Sequence, residues 1–202
     1  MSGLRHLVVV LGDQLDPESV AFDGFDPEHD RVFMAEAAAE AEHVFSHRAR
    51  IALFLAAMRH FREELRARGL QVEYVELAES TLGAELANSV RTLHPMKVIV
   101  VEPGEWRVRE ELRGAVPGLE IRPDRHFLCS PEEFAAHVAG RRQLRMEFFY
   151  REMRRKTGVL MEDGRPQGGA WNFDRANRGA FGAEGPGAVR PPRSFPPDPL
   201  TR

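Results

Sequence analysis

Apolar positions follow two distinct patterns along the first two-thirds of the chain. A wholly apolar, β-branched stretch occurs at Leu7–Leu11 (Leu-Val-Val-Val-Leu), and apolar runs follow within Arg31–Ala35 and Lys97–Val101. Short runs without polar alternation predict strands buried on both faces, as in a parallel sheet. Gln71–Glu76 alternates apolar and polar residues and predicts a further strand; Leu119–Arg122 predicts a weaker one. Between them the period changes to that of a helix. Ile51, Phe54, Leu55, Met58, Phe61 and Leu65 recur at spacings of three and four and predict a helix from about Ser46 to Arg68. Gly69 closes it, and Glu64 with Arg68 supports it at i,i+4. Ser80 is placed to cap a helix running to about Leu93. Another helix follows Glu102–Trp106 and ends near Gly114. Ser130-Pro-Glu-Glu133 is a capping box with proline at the first helical position, opening a helix to about Val138. A longer helix is predicted over about Arg142 to Lys156.

Strands alternating with helices over residues 7–139 predict an α/β fold: a Rossmann-like, open, mostly parallel five-stranded sheet with helices on both faces. Ligands in such folds bind beyond the carboxyl ends of the strands, where strand order reverses. Residues 140–184 are expected to hold a basic helix and an interdomain linker. From Gly185 the chain has six prolines in 18 residues and no apolar periodicity, which predicts a linker or disordered tail over 185–202.

Composition narrows the function classes. The 202 residues carry 28 Lys+Arg against 31 Asp+Glu, a net charge of −3. That argues against a globally basic nucleic-acid binder. The single cysteine, Cys129, excludes a disulfide scaffold, a four-cysteine zinc site and a self-contained iron–sulfur cluster, and fits a reducing, cytoplasmic setting. It is expected to be a buried small apolar residue rather than a nucleophile. The longest apolar run, Ile51–Met58, is far short of a membrane span, and the N-terminus lacks a secretory signal. The eight histidines show no metal spacing beyond the i,i+4 pair His43 and His47, so no metal site is expected.

The candidate chemistry sits at strand ends. Gly12, Asp13 and Gln14 follow the first strand; they are either a turn or polar groups at a crevice mouth. The run is not GxGxxG, so a dinucleotide pyrophosphate is not expected there. Glu36 and Glu40 follow the second strand. They are either acids favouring a first helical turn or acceptors on one helical face. Gly104, Glu105 and Trp106 follow the fourth strand; the tryptophan either packs on the sheet or offers a stacking surface. Arg141, Arg142, Arg145, Arg151, Arg154, Arg155 and Lys156 face only Glu147 and Glu152, a local charge of +5 that leaves −8 for the remainder. Met146, Phe149, Tyr150 and Met153 recur there at helical spacing. The segment is therefore either a helix with a buried stripe and solvated charges or a phosphate-contacting or domain-docking helix.

Five segments in order carry a specific resemblance: Leu7–Leu15, Ala57-Met-Arg-His-Phe61, Glu102-Pro-Gly-Glu-Trp-Arg107, Met146–Gly158 and Gly168-Gly-Ala-Trp-Asn-Phe-Asp174. Over essentially its whole length the chain resembles the N-terminal part of the deoxyribodipyrimidine photolyase-related proteins. These are the bacterial iron–sulfur cryptochromes and photolyases that repair six-four photoproducts in DNA. The resemblance implies an α/β antenna domain holding 6,7-dimethyl-8-ribityllumazine, which passes excitation energy to FAD in a C-terminal helical domain. It places Gly12, Asp13, Gln14, Glu36, Glu40, Phe54, Gly104, Glu105 and Trp106 on or near the antenna pocket. It turns the Arg141–Lys156 segment toward DNA or the second domain. The family's FAD pocket, catalytic histidines and 4Fe–4S cysteines lie beyond residue 202, so this chain is not expected to be catalytic alone. Damaged DNA is the partner of full-length relatives. Two other functions fit the residues: a nucleotide-binding α/β enzyme using the same crevice, and a nucleic-acid interaction module built on Arg141–Lys156.

Overall fold

The computed structural model describes residues 3–174, 178–196 and 198–201. They form two compact units. The first comprises the chain up to His126 together with the described residues 198–201; the second runs from Phe127 to Pro196. Of the tail, Pro197 and Arg202 lie outside the described residues.

In the first unit the elements follow in chain order. They are β1 (His6–Val9), β2 (Asp30–Ala37), α1 (Ala38–Glu42), α2 (Arg48–Ala67), β3 (Val72–Ala78), α3 (Leu82–Leu93), β4 (Lys97–Val101), α4 (Trp106–Ala115) and β5 (Glu120–Arg122). The five strands form one sheet in the order β3-β2-β1-β4-β5, every neighbouring pair parallel. Winding direction reverses between β1 and β4. Side-chain alternation splits the core. Leu7, Val9, Leu11 and Phe33 pack with Leu82 and Leu86 of α3 and Val108 and Leu112 of α4. Val10, Val32 and Met34 face the other way, onto Met58, Phe61 and Leu65 of α2. The unbroken apolar runs are thus buried on both faces, as a doubly covered parallel sheet requires.

Local chemistry sets the helix ends. α2 starts at His47, whose Nδ1 accepts from the Ala49 N–H at 3.1 Å, so this histidine serves as a cap and not as half of a metal pair. At its other end Gly69 adopts φ +84°, and the N–H groups of Gly69 and Leu70 return to the carbonyls of Arg66 and Leu65. This left-handed closure was legible from the glycine. The cap of α3 is Thr81, whose Oγ1 accepts from the Ala84 N–H at 3.3 Å. Ser80, the expected cap, instead donates to Glu85. Both residues have capping hydroxyls, and position decides between them.

Beneath the amino ends of the strands Asp30 is fully buried. It accepts from Arg5 Nε (2.9 Å), the His6 N–H (3.0 Å) and the Asp26 N–H (2.9 Å). Burial alone pushes its carboxyl up, but Arg5, the Asp26 N–H and His6 together hold it below the ordinary aspartate value.

In the second unit α5 (Pro131–Val138) carries the full capping box, with Ser130 and Glu133 bonding each other's backbone N–H. Helix α6 (Met146–Thr157) begins later than its charge run suggests, because Arg145 is extended and forms the N-cap. Phe149 of α6 packs edge-on against Phe134 and His137 of α5, with centroids at 5.2 and 5.0 Å. A short hairpin follows, β6 (Met161–Glu162) with β7 (Arg165–Pro166). Cys129 is partly buried. Residues 178–196 are exposed and hold no helix or strand beyond a Gly182–Gly185 bridge. Asp198, by contrast, pairs with His60 of α2 at 3.0 Å, so part of the expected disordered tail is anchored.

Replacing Asp30 with alanine is expected to cost about 3–5 kcal/mol, because Arg5 and two backbone N–H groups lose their acceptor. Urea unfolding measures this. A carboxyl held low in the native state stabilises above its unfolded value, and that stabilisation is lost as pH falls through the native one. The penalty should therefore be full at pH 7 and shrink below about pH 4.

Candidate functional site

A cavity of about 320 Å³ opens at the carboxyl ends of β1, β2 and β4, beside the reversal in strand order. Val10 to Asp13 form its floor, and Ala35 to Ala37 with Glu40 and Ala41 one side. Pro103 to Glu105 with Val108 form the opposite side, and Ile51, Phe54, Leu55 and Met58 of α2 make an apolar wall. The helical stripe explains that wall. Its carboxyl half, Met58, Phe61 and Leu65, is buried on the sheet. Its amino half overhangs the strand ends, which leaves Phe54 44% exposed.

Gly12 permits this arrangement. A Cβ there would lie 2.4 Å from a Phe54 ring carbon and 2.8 Å from Met58 Sδ. At Gly104 the nearest atom to such a Cβ is a carboxylate oxygen of Asp13 at 3.8 Å, so that backbone faces open space.

The carboxylates around the cavity are in different states. Glu36 is 3% exposed. It accepts two bonds from Arg59 (2.7 and 2.8 Å), one from the Tyr74 hydroxyl (2.6 Å) and one from the Leu77 N–H (3.2 Å). Desolvation works against its charge, but these donors hold its carboxyl below the usual value. Glu40 is held bidentately by Arg107 at 2.9 and 2.7 Å, and Glu105 meets the same guanidinium at 3.3 Å. Asp13 makes no ion pair among the described residues. Loss of water in the crevice pushes its carboxyl up, against the pull of its own backbone N–H; Glu105, Glu40 and Asp124 add repulsion.

Seven of the nine expected positions line the cavity: Gly12, Asp13, Glu36, Glu40, Phe54, Gly104 and Glu105. Two do not. Gln14 Nε2 donates to the Glu102 carbonyl at 3.0 Å, tying the β1 turn to the end of β4. Trp106 opens α4, 69% exposed, with Arg109 stacked 5.3 Å from its ring centre, away from both the sheet and the cavity. Glu36 and Glu40 do not share a helix face; β2 runs on through Ala37 and only Glu40 is helical. Arg107 and Arg59 were not singled out. Arg59 follows Met58 at the edge of the helical stripe, a detectable signal, whereas Arg107 has no periodicity that marks it.

The basic segment is also rearranged. Arg154 is 5% exposed and its guanidinium donates to the carbonyls of Val159 (3.4 Å), Leu160 and Trp171 (3.2 Å), so it is an internal tie. Arg151 is bound to Glu147 and Lys156 to Glu133. Arg141 donates to the His137 carbonyl. Arg155 stacks 4.7 Å from the Trp171 ring centre and Arg145 lies 5.9 Å from that of Phe148. Arg142 is exposed. Met146, Phe149, Tyr150 and Met153 line an open cleft of about 810 Å³ with Trp171 and Phe173; Met146 is 73% exposed, whereas Phe149 and Met153 are half-buried. Among the described residues no cluster of three or more metal-ligating side chains occurs, and no helix is long and apolar enough to cross a membrane.

Two outcomes follow. Gly12→Ala is expected to cost about 1–3 kcal/mol in urea unfolding, because Phe54 and Met58 must move off their seats. Asp13→Asn is expected to raise Tm by roughly 1–3 °C at pH 7. A carboxyl raised in the native state binds its proton better folded than unfolded, so its ionisation destabilises as pH rises from about 4. The gain should fade toward pH 4; a gain constant from pH 4 to 7 would contradict this assignment.

The (6-4) photolyase of Agrobacterium fabrum is 43% identical over 208 residues, covering 98% of this chain. The chain spans about 40% of that protein's length. Residues 8–202 match the family of deoxyribodipyrimidine photo-lyase-related proteins, and the chain belongs to that family.

Proposed function

We propose that the first unit binds 6,7-dimethyl-8-ribityllumazine as an antenna chromophore and forms the light-harvesting part of a photolyase-family DNA-repair flavoprotein. The observation that carries this reading is the cavity at the reversal of strand order, with an apolar wall facing a free carboxylate. At about 320 Å³ it lies near the lower end of small-molecule sites, suited to a bicyclic heterocycle. Phe54, Ile51, Leu55 and Met58 would flank the ring. Asp13 would accept from the ligand's N–H or hydroxyl groups, and the open backbone at Gly104 would let the heterocycle approach closely. Ser46 and Arg50 on the remaining rim suit a hydroxylated side chain. The bound lumazine would supply near-ultraviolet and blue absorption that the polypeptide lacks. Energy transfer to FAD, the 4Fe–4S cluster, action on damaged DNA and a cytoplasmic setting belong to the same proposal, for the whole protein of which such a unit is part.

A nucleotide-handling enzyme is less well supported. No glycine-rich phosphate loop follows β1, and Asp13, Glu40 and Glu105 together oppose a polyphosphate. Absorption titration of the purified chain separates the two. Ribityllumazine should show a shifted band and quenched emission on binding, while FAD and ATP leave the spectra unchanged. Phe54→Ala should weaken lumazine binding about tenfold. Saturable ATP binding with no lumazine response would overturn the antenna reading.

A further inference from the structure

Arg107 is absorbed neither by the core nor by the pocket wall, yet it links α1 to α4 and, through Glu111, to α3. Its guanidinium bonds Glu40 of α1 through two nitrogens, reaches Glu105 at the start of α4 at 3.3 Å, and lies 3.5 Å from Glu111 one turn further along α4. Glu111 in turn accepts from the Gly83 N–H in the first turn of α3 at 2.6 Å. Both helices are fixed: Val108 and Leu112 of α4 and Leu82 and Leu86 of α3 are buried in the same cluster. Arg107 therefore stands on a rigid platform.

α1 has no such support. It is five residues long, none of them buried, and no side chain caps its amino end. A single turn of helix without buried apolar area is unstable by itself. It nevertheless supplies Glu40 and Ala41 to the cavity wall, and the segment after it supplies Ser46. What joins α1 to the platform is the fork of Arg107 on Glu40. Planar, bidentate pairing fixes direction as well as distance, which a lysine cannot do. The same cation offsets Glu40 and Glu105 at the cavity, leaving Asp13 there without an ion-pair partner among the described residues.

We infer that Arg107 is a positioning residue for the ligand site, acting through Glu40 to hold α1 closed as one wall of the cavity. This rests on the antenna reading for its ligand but not for its mechanics. Without Arg107, α1 is released and Asp13, Glu40 and Glu105 face one another uncompensated. A ligand held between α2 and α1 would then leave faster.

The test compares wild type, Arg107→Met and Arg107→Lys in two arms. In the first, hydrogen exchange of the α1 amides is followed without ligand. Arg107→Met should accelerate exchange in α1 while the β1 and β4 amides are unaffected, and Arg107→Lys should lie between. Unchanged α1 exchange in Arg107→Met would overturn the inference. In the second arm, ribityllumazine binding is measured. Arg107→Met should raise Kd about tenfold, mainly through dissociation, and alter the absorption of the bound form at saturation. Arg107→Lys should restore the charge but only part of the affinity. Faster α1 exchange with Kd within about twofold of wild type would overturn the positioning role and leave the pocket intact. If wild type binds no lumazine, the antenna reading fails while the exchange arm still decides whether Arg107 holds α1.

Discussion

The crevice at the strand ends depends on one buried carboxylate. Glu36 stands at the end of β2, where the sheet stops and α2 begins to overhang. A charge that deep is costly unless every lone pair is used. Here Arg59 of α2, Tyr74 of β3 and the Leu77 backbone supply four bonds. Each partner is thereby constrained. Arg59 locks the middle of α2 to β2, one residue beyond Met58. Tyr74 is held to β2, its phenol pushed up by burial and by the neighbouring charge. Leu77 adopts φ +46°, an unfavourable conformation for a leucine, beside the register shift between Ala35 and Ala37. The bond from its N–H to Glu36 offsets that strain. With α2 held at this height, Phe54 and Met58 rest on Gly12, and the apolar wall faces the strand ends.

The acids around the crevice thus fall into three roles. Glu36 is structural because its donors converge from α2 and β3 and exclude water. Glu40 and Glu105 share one guanidinium at the rim, where exposure keeps the pairing modest in strength but directional. Among these four acids Asp13 alone has no ion-pair partner among the described residues, and loss of water, with the surrounding negative charge adding to it, weakens its acidity. Four carboxylates around one small cavity would repel each other without Arg59 and Arg107. The arginines therefore decide which carboxylate is left without an ion-pair partner at the cavity among the described residues. A sequence with the same acids and no arginine at position 107 would present a different electrostatic surface from the same backbone.

The sheet was legible because its pattern is redundant. Every strand is bounded by a change of period, and the unbroken apolar runs at Leu7–Leu11 and Lys97–Val101 fit only burial on both faces. The location of the cavity followed from topology. Single-residue roles were less accessible. Gln14 and Trp106 stand beside true wall residues in sequence, but the turn after β1 directs Gln14 to the Glu102 carbonyl, and the start of α4 directs Trp106 to solvent. Spacing cannot distinguish neighbours whose side chains diverge at an element boundary. Glu36 and Glu40 were misread for the same reason, since a strand extended by two residues removes their shared helix face. Arg107 was missed because its importance lies in long-range pairs with no periodic signature.

The second unit shows why a charge run alone does not define a surface. For Arg141–Lys156 the sequence left two readings open, a buried apolar stripe with solvated cations or a phosphate-contacting or domain-docking helix. Arg154 fits neither, because it is buried. The chain after α6 turns back through Val159, Leu160 and Trp171 and brings their carbonyl oxygens against the helix, the Leu160 carbonyl also accepting from the Gln167 N–H at 2.9 Å. Such groups need donors once water is excluded. A guanidinium, with five N–H groups in one plane, can satisfy several together. The arginine is therefore drawn inward, and Trp171 stacks over the adjacent cations Arg151, Arg154 and Arg155. Met146 and Tyr150 remain outward because the helix has one neighbour in α5, engaged through Phe149, and the fold-back engages the arginine. The orientation of α6 thus rests on both the arginine ties to backbone carbonyls and the packing of Phe149 on α5.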